Sequence, residues 1–138
     1  MEVIIRQAMP QDFERCIELQ KQAGLLTAKG EVFEPEWLAE YLHDGLFLAA
    51  EAEGRVCGYI LGEKIRLQGA YVWLLVVDSN IRHAGIGTRL LTAFEDLCRS
   101  NGITWVIAYS ALTESTLGFY RKNGFSFGDD FREILKHL

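Results

Sequence analysis

The chain has 138 residues, 49% of them hydrophobic and 24% charged, with a formal net charge of -5; this size makes one domain over residues 1–138 and buries roughly two-thirds of the unfolded surface. An acidic balance without a lysine or arginine cluster argues against a nucleic-acid surface. No apolar run approaches the roughly 18 residues of a membrane span, and Glu2, Arg6 and Asp12 interrupt any signal-like segment, so no membrane role is expected and a cytoplasmic protein is.

Val3, Ile4 and Ile5 predict a first strand. Pro10 then opens a helix with Phe13, Cys16, Ile17 and Gln20 on one side, closed by Gly24. After an irregular segment over 25–33, residues 35–44 read as a short helix carrying Trp37, Leu38, Tyr41 and Leu42 inward. A meander of three strands follows over 46–53, 56–67 and 70–78, with Glu53-Gly54 and Gln68-Gly69 as its turns. Beyond it Ile86, Leu90, Leu91, Phe94, Leu97 and Cys98 recur at spacings of three and four, a helix with one buried face. Residues 103–109 read as a strand, 113–123 as a helix ended by Gly124, and 125–127 with 131–138 as a closing pair of short strands. The sum is a single α/β (α+β) domain with a mixed seven-stranded sheet, in which an antiparallel meander leads into a parallel crossover, and about four helices on both faces.

The chemistry concentrates where the third meander strand stops at Asp78 and the chain continues as Arg82-His83-Ala84-Gly85-Ile86-Gly87. The first amides of a helix lack intrahelical acceptors and the peptide dipoles add partial positive charge, so this turn suits an anion. Glycines let phosphate oxygens approach the backbone. No carboxylate lies between Ser79 and Phe94, while Arg82 and Arg89 add positive charge. A dinucleotide fingerprint fails because Leu90 stands at its third glycine, and a P-loop fails because Thr88 and Arg89 follow Gly87 without the lysine. Cys16, Cys57 and Cys98 are isolated among apolar neighbours and read as buried free thiols, and His43, His83 and His137 give no metal-ligand spacing, so no metal is expected.

Arg82 to Gly87, preceded by Leu75-Val76-Val77-Asp78 and followed later by Phe119-Tyr120-Arg121-Lys122-Asn123-Gly124-Phe125, resembles the GCN5-related N-acetyltransferase (GNAT) family. That family carries an R/Q-x-x-G-x-G/A loop after its fourth strand and commonly ends its last helix in Tyr-x-x-x-Gly-Phe; the element order agrees over essentially the whole chain. The resemblance implies acetyl-CoA as co-substrate. The amides of His83, Ala84, Gly85, Ile86, Gly87 and Thr88, beside Arg82, would hold its pyrophosphate, and the backbone of Leu75, Val76 and Val77 would pair with the pantetheine arm. Tyr120 would serve as general acid. Where the family often has an asparagine the chain has Thr113, a good helix N-cap whose hydroxyl lacks an amide's paired donor and acceptor. Ala108 stands where ribosomal-protein N-terminal acetyltransferases place a glutamate, which argues against that subfamily.

Acetyl transfer needs an extended thioester, a neutral amine aimed at its carbonyl, donors for the oxyanion and a proton for the leaving thiolate. If the strands over 70–78 and 103–109 part, an amide near Val76 or Val77 could face the oxyanion. Tyr120, with a reference pKa of about 10, stays protonated at neutral pH and can donate to the thiolate. The candidate base is Glu63, with Glu114 and a water relay as alternatives, although a glutamate at a strand edge is more often a solvated surface residue. From Gly30 to Gly54 stand Glu31, Glu34, Glu36, Glu40, Asp44, Glu51 and Glu53 with no lysine or arginine. Such a block is either a solvated face or a field that draws a cationic amine, small molecule or peptide. Two functional readings follow: transfer of acetyl to a primary amine by direct attack in a ternary complex, or a catalytically silent acyl-CoA-binding module. The strand edges over 3–7 or 131–138 offer a surface for a homodimer.

Overall fold

The computed structural model describes residues 2–26, 30–81, 84–128 and 134–138. In chain order they form β1 (Val3–Gln7), a 3-10 turn (Pro10–Asp12), α1 (Phe13–Ala23), α2 (Pro35–Tyr41), β2 (Phe47–Ala52), β3 (Arg55–Ile65), β4 (Gly69–Val77), a second 3-10 turn (Ser79–Ile81), α3 (Ile86–Ser100), β5 (Trp105–Ala108) and α4 (Glu114–Lys122). The strands lie in the order β1-β2-β3-β4-β5. The first four pair antiparallel, and β5 joins β4 in parallel through the α3 crossover. β1, with its edge over 3–7, is therefore an outer strand.

The alternation of side chains along each strand divides the core into two layers. Leu48, Ala50, Ile60 and Val72 point to one face and meet Ile86, Leu90, Leu91 and Phe94 of α3. Phe47, Ala49, Tyr59, Leu61, Leu74 and Val76 point to the other and meet Phe13, Cys16 and Leu19 of α1 and Leu38 of α2. Full burial of each such side chain contributes about 1.5–3 kcal/mol, so two populated layers suffice for a domain of this size. Close helix approach has a local cause at Gly62, where an added Cβ would sit 2.6 Å from the Phe94 ring. The register shifts between Leu61 and Gly62, pairing Leu61 with Leu74 but Gly62 with Val72. Trp73 is left as the extra residue of a β-bulge, a device that re-aims a side chain.

The sheet of the described residues has five strands, where seven were expected. Residues 125–127 form no strand because the Phe125 amide donates to the Tyr120 carbonyl at 3.0 Å and the Gly124 amide to the Arg121 carbonyl at 3.1 Å, which closes α4 instead of opening a ladder. Residues 134–138 belong to no strand, and 131–133 lie outside the described residues. α2 stops at Tyr41 and not at residue 44, since Asp44 turns to accept the Lys64 amide at 3.0 Å. Trp37, expected inward, is 39% exposed while Leu38 is buried.

Candidate active site

β4 pairs with β5 only as far as Val72 opposite Ala108, yet it continues to Val77 beside β3, where Val77 still faces Gly58. From Trp73 onward the β5 side of β4 is thus a gap into which backbone N–H and C=O groups point without a neighbouring strand. Leu75, Val76 and Val77 lie on this free length. Backbone groups that keep no ladder partner are ready to pair with an extended ligand.

The end of β4 is pinned by α1. Asp78 accepts from the Asn80 amide at 3.0 Å and from the Arg15 guanidinium at 2.7 Å. Gln22 donates to the same carboxylate at 3.4 Å and accepts from the Ser79 amide at 2.9 Å. The Asn80 amide foremost, then Gln22 and Arg15, hold the Asp78 carboxyl below the usual aspartate range, against the opposing effect of burial. Arg15 also neutralises a carboxylate that would otherwise repel an anion at the following turn. These three residues carried no motif; the one sequence signal was a carboxylate closing an apolar strand.

α3 begins at Gly85, whose φ of 75° and ψ of 12° are left-handed, and an added Cβ there would meet nothing within 4 Å. Among the described residues nothing crowds Gly85 on that side. The amides of Ile86, Gly87 and Thr88 belong to that turn and have no intrahelical acceptor. A Cβ on Gly87 would sit 3.3 Å from the Phe119 ring and 3.7 Å from Val77, so α4 closes directly over the junction of β4 and α3. Ala84 is exposed at the same turn. Arg82 and His83 lie outside the described residues. Arg89 departs from expectation: its guanidinium donates to the Val3 carbonyl at 2.8 Å and ties α3 to β1.

On α4, Tyr120 is 9% exposed and sits edge-on between Phe119 and Phe125, both at 5.2 Å between ring centroids. Burial pushes its hydroxyl pKa up, which keeps it protonated as a donor. Thr113 caps the helix, accepting from the Thr116 amide at 3.3 Å, with its hydroxyl donating to that of Thr116 at 2.8 Å. Its oxygen is engaged by the helix. Glu63 stands across from Tyr71 on β3 and accepts from the Trp73 indole at 2.8 Å. Glu114 is exposed at the first position of α4. Among the described residues no group of three or more His, Cys, Asp and Glu side chains could hold a metal ion, and no helix is long and apolar enough to cross a membrane.

The geometry agrees with what this chain is similar to. Residues 7–125 match the model of the acetyltransferase (GNAT) family. The PaiA N-acetyltransferase of Thermoplasma acidophilum, solved in complex with coenzyme A, is 25% identical with a TM-score of 0.82, covering 95% of this chain and 94% of its own. Ard1 of Thermoplasma volcanium is 25% identical with a TM-score of 0.81, over 94% of this chain and 86% of its own. A ribosomal-protein-alanine N-acetyltransferase of Brucella melitensis is 27% identical with a TM-score of 0.75, over 89% and 84%. No curated protein sequence matches significantly. The chain belongs to the GNAT acetyltransferase family.

Proposed function

We propose that the protein transfers the acetyl group of acetyl-CoA to a primary amine by direct attack within a ternary complex. The observation that carries this reading is the five-residue overrun of β4 beyond its last β5 partner, followed in the chain by the start of α3, whose first amides have no intrahelical acceptor. One edge offers a ladder for an extended pantetheine; its end offers a seat for a diphosphate. The coenzyme A complex of the similar Thermoplasma acidophilum protein supports the same co-substrate.

In this reading the amides of residues 84–88, with Arg82 and His83, hold the pyrophosphate. Leu75, Val76 and Val77 hold the pantetheine arm, and an amide near Val76 or Val77 faces the developing oxyanion. The amine nitrogen attacks the thioester carbon and forms the C–N bond. The C–S bond then breaks, Tyr120 donates its proton to the departing sulfur, and Glu63, directly or through water, takes the proton released by the amine. Thr113 acts by starting α4 so that Tyr120 faces the gap, with its hydroxyl already engaged. The acceptor class is an amine on a small molecule or a peptide.

Incubation with acetyl-CoA and a panel of amines, followed by release of free thiol, tests the reading. Thiol release dependent on at least one amine is the expected result. Stabilisation by acetyl-CoA in a thermal shift, with no turnover on any amine, would overturn transfer and leave a binding module.

A further inference from the structure

The layer between the sheet and α2 does not end in aliphatic side chains. It ends in a row of rings. Phe33 lies 5.9 Å from Tyr41 and 6.0 Å from Trp37, centroid to centroid. Trp73, turned out by the β4 bulge, lies 6.3 Å from Phe33 and 6.5 Å from Tyr41. Tyr71 follows at 4.5 Å from Trp73, and Tyr109 at 5.7 Å from Tyr71. Tyr109 comes directly after Ala108, the last residue of β5. The row thus leads from α2 across the sheet to the mouth of the gap between β4 and β5.

Two properties distinguish this row from ordinary core. Trp37 and Trp73 remain 39% and 42% exposed, so both rings reach the surface. Carboxylates also accompany it: Glu63 accepts from Trp73, and burial first, then Glu63 and Glu40, push the Tyr41 hydroxyl pKa upward. No lysine or arginine occurs between Gly30 and Gly54. The position of Phe33 is built, not incidental, because the buried Gln20 side chain donates to the Leu25 carbonyl at 2.6 Å and accepts from the Phe33 amide at 3.1 Å. Ring faces carry negative quadrupole charge and attract an organic cation set against them between carboxylates.

We propose that Trp37, Tyr41 and Trp73 form a subsite for a second, non-reacting alkylammonium group, so that the acceptor is a flexible amine with two cationic nitrogens. One nitrogen rests on the rings while the other, deprotonated, reaches the thioester at the gap. This rests on the transfer reaction proposed above and gives its acceptor a chemical class.

The test compares 1,5-diaminopentane with pentylamine as acceptors, and titrates tetramethylammonium, which has no transferable N–H, while following tryptophan fluorescence. The subsite predicts at least tenfold higher kcat/KM for the diamine, carried in KM, and a ratio reduced at least threefold in Trp37→Leu, an exposed position where folding is checked by the melting temperature. Tetramethylammonium should change the fluorescence saturably and compete with the diamine. Equal kcat/KM for the two amines, or no saturable fluorescence change, overturns the subsite while leaving transfer intact. Should no amine be acetylated at all, transfer fails, and the fluorescence titration alone decides the subsite.

Discussion

Tyr59 is fully buried among the side chains beneath α1, and its hydroxyl finds no hydrogen-bond partner among the described residues. Burial drives its pKa upward, so it stays neutral, but a neutral orphan hydroxyl still costs about 1–3 kcal/mol in lost hydration. Tyr59→Phe is therefore expected to raise stability by about 1 kcal/mol in urea denaturation, with the slope unchanged. Tyr120 is the opposite case, a buried hydroxyl to which the proposed mechanism gives a use as donor. Tyr120→Phe should lower kcat by about 10²-fold, the lower end of general-acid effects, with the dissociation constant for coenzyme A nearly unchanged; unchanged kcat would remove Tyr120 from the mechanism. In sequence Tyr59 stands among apolar neighbours, while Tyr120 follows Phe119 and precedes Arg121 and Lys122. Only Tyr120 carried a readable signal, through the Tyr-x-x-x-Gly-Phe phrase. Asp78, Gln22 and Gln20 were unreadable as site builders because their partners lie on other elements, as far as 63 residues away for Arg15 and Asp78.

Between elements, the link from α1 to the end of β4 sets where the proposed anion seat begins. Because the Asp78 pKa is lowered on folding, its contribution to stability is complete above the ordinary aspartate value of about 3.9 and is lost as pH falls through the folded value. Asp78→Asn should cost about 1.5–3 kcal/mol at neutral pH, the range for hydrogen bonds to a charged group, and should shrink that difference as the pH is lowered. Coenzyme A should also bind more weakly to this variant, as read by calorimetry, because the turn after β4 loses its anchor. The strands of the meander and α3 were legible since their periods of two and 3.6 run long enough to be unambiguous. The closing strands were not, because the amide that would extend a ladder at Phe125 is taken by the Tyr120 carbonyl, a helix-end contact that Gly124 announces only in part. α2 was readable as a helix but its face was not: seven residues make barely two turns, and Trp37 lies outward.

Across the molecule, charge and topology act together. A net charge of -5 coexists with a carboxylate-free stretch from Ser79 to Phe94 and an acidic block from Gly30 to Gly54. The first favours the anionic co-substrate at the start of α3, and the second favours a cationic acceptor on the α2 side. Long-range steering of this kind is screened once the Debye length falls to about 3 Å near 1 M salt. For an acceptor with two cationic nitrogens, kcat/KM should therefore fall several-fold between low and high ionic strength, while kcat at saturation holds; a flat profile would reduce the acidic block to a solvated face. The crossover that pairs β5 with only the first four residues of β4 is the feature from which everything else follows. Its most direct test is a crystal structure of the protein with coenzyme A. The diphosphate should lie within hydrogen-bond distance of the main-chain amides of residues 84–88, with the pantetheine arm along Leu75 to Val77. A diphosphate bound elsewhere, or a turn left empty at saturating coenzyme A, would contradict the account.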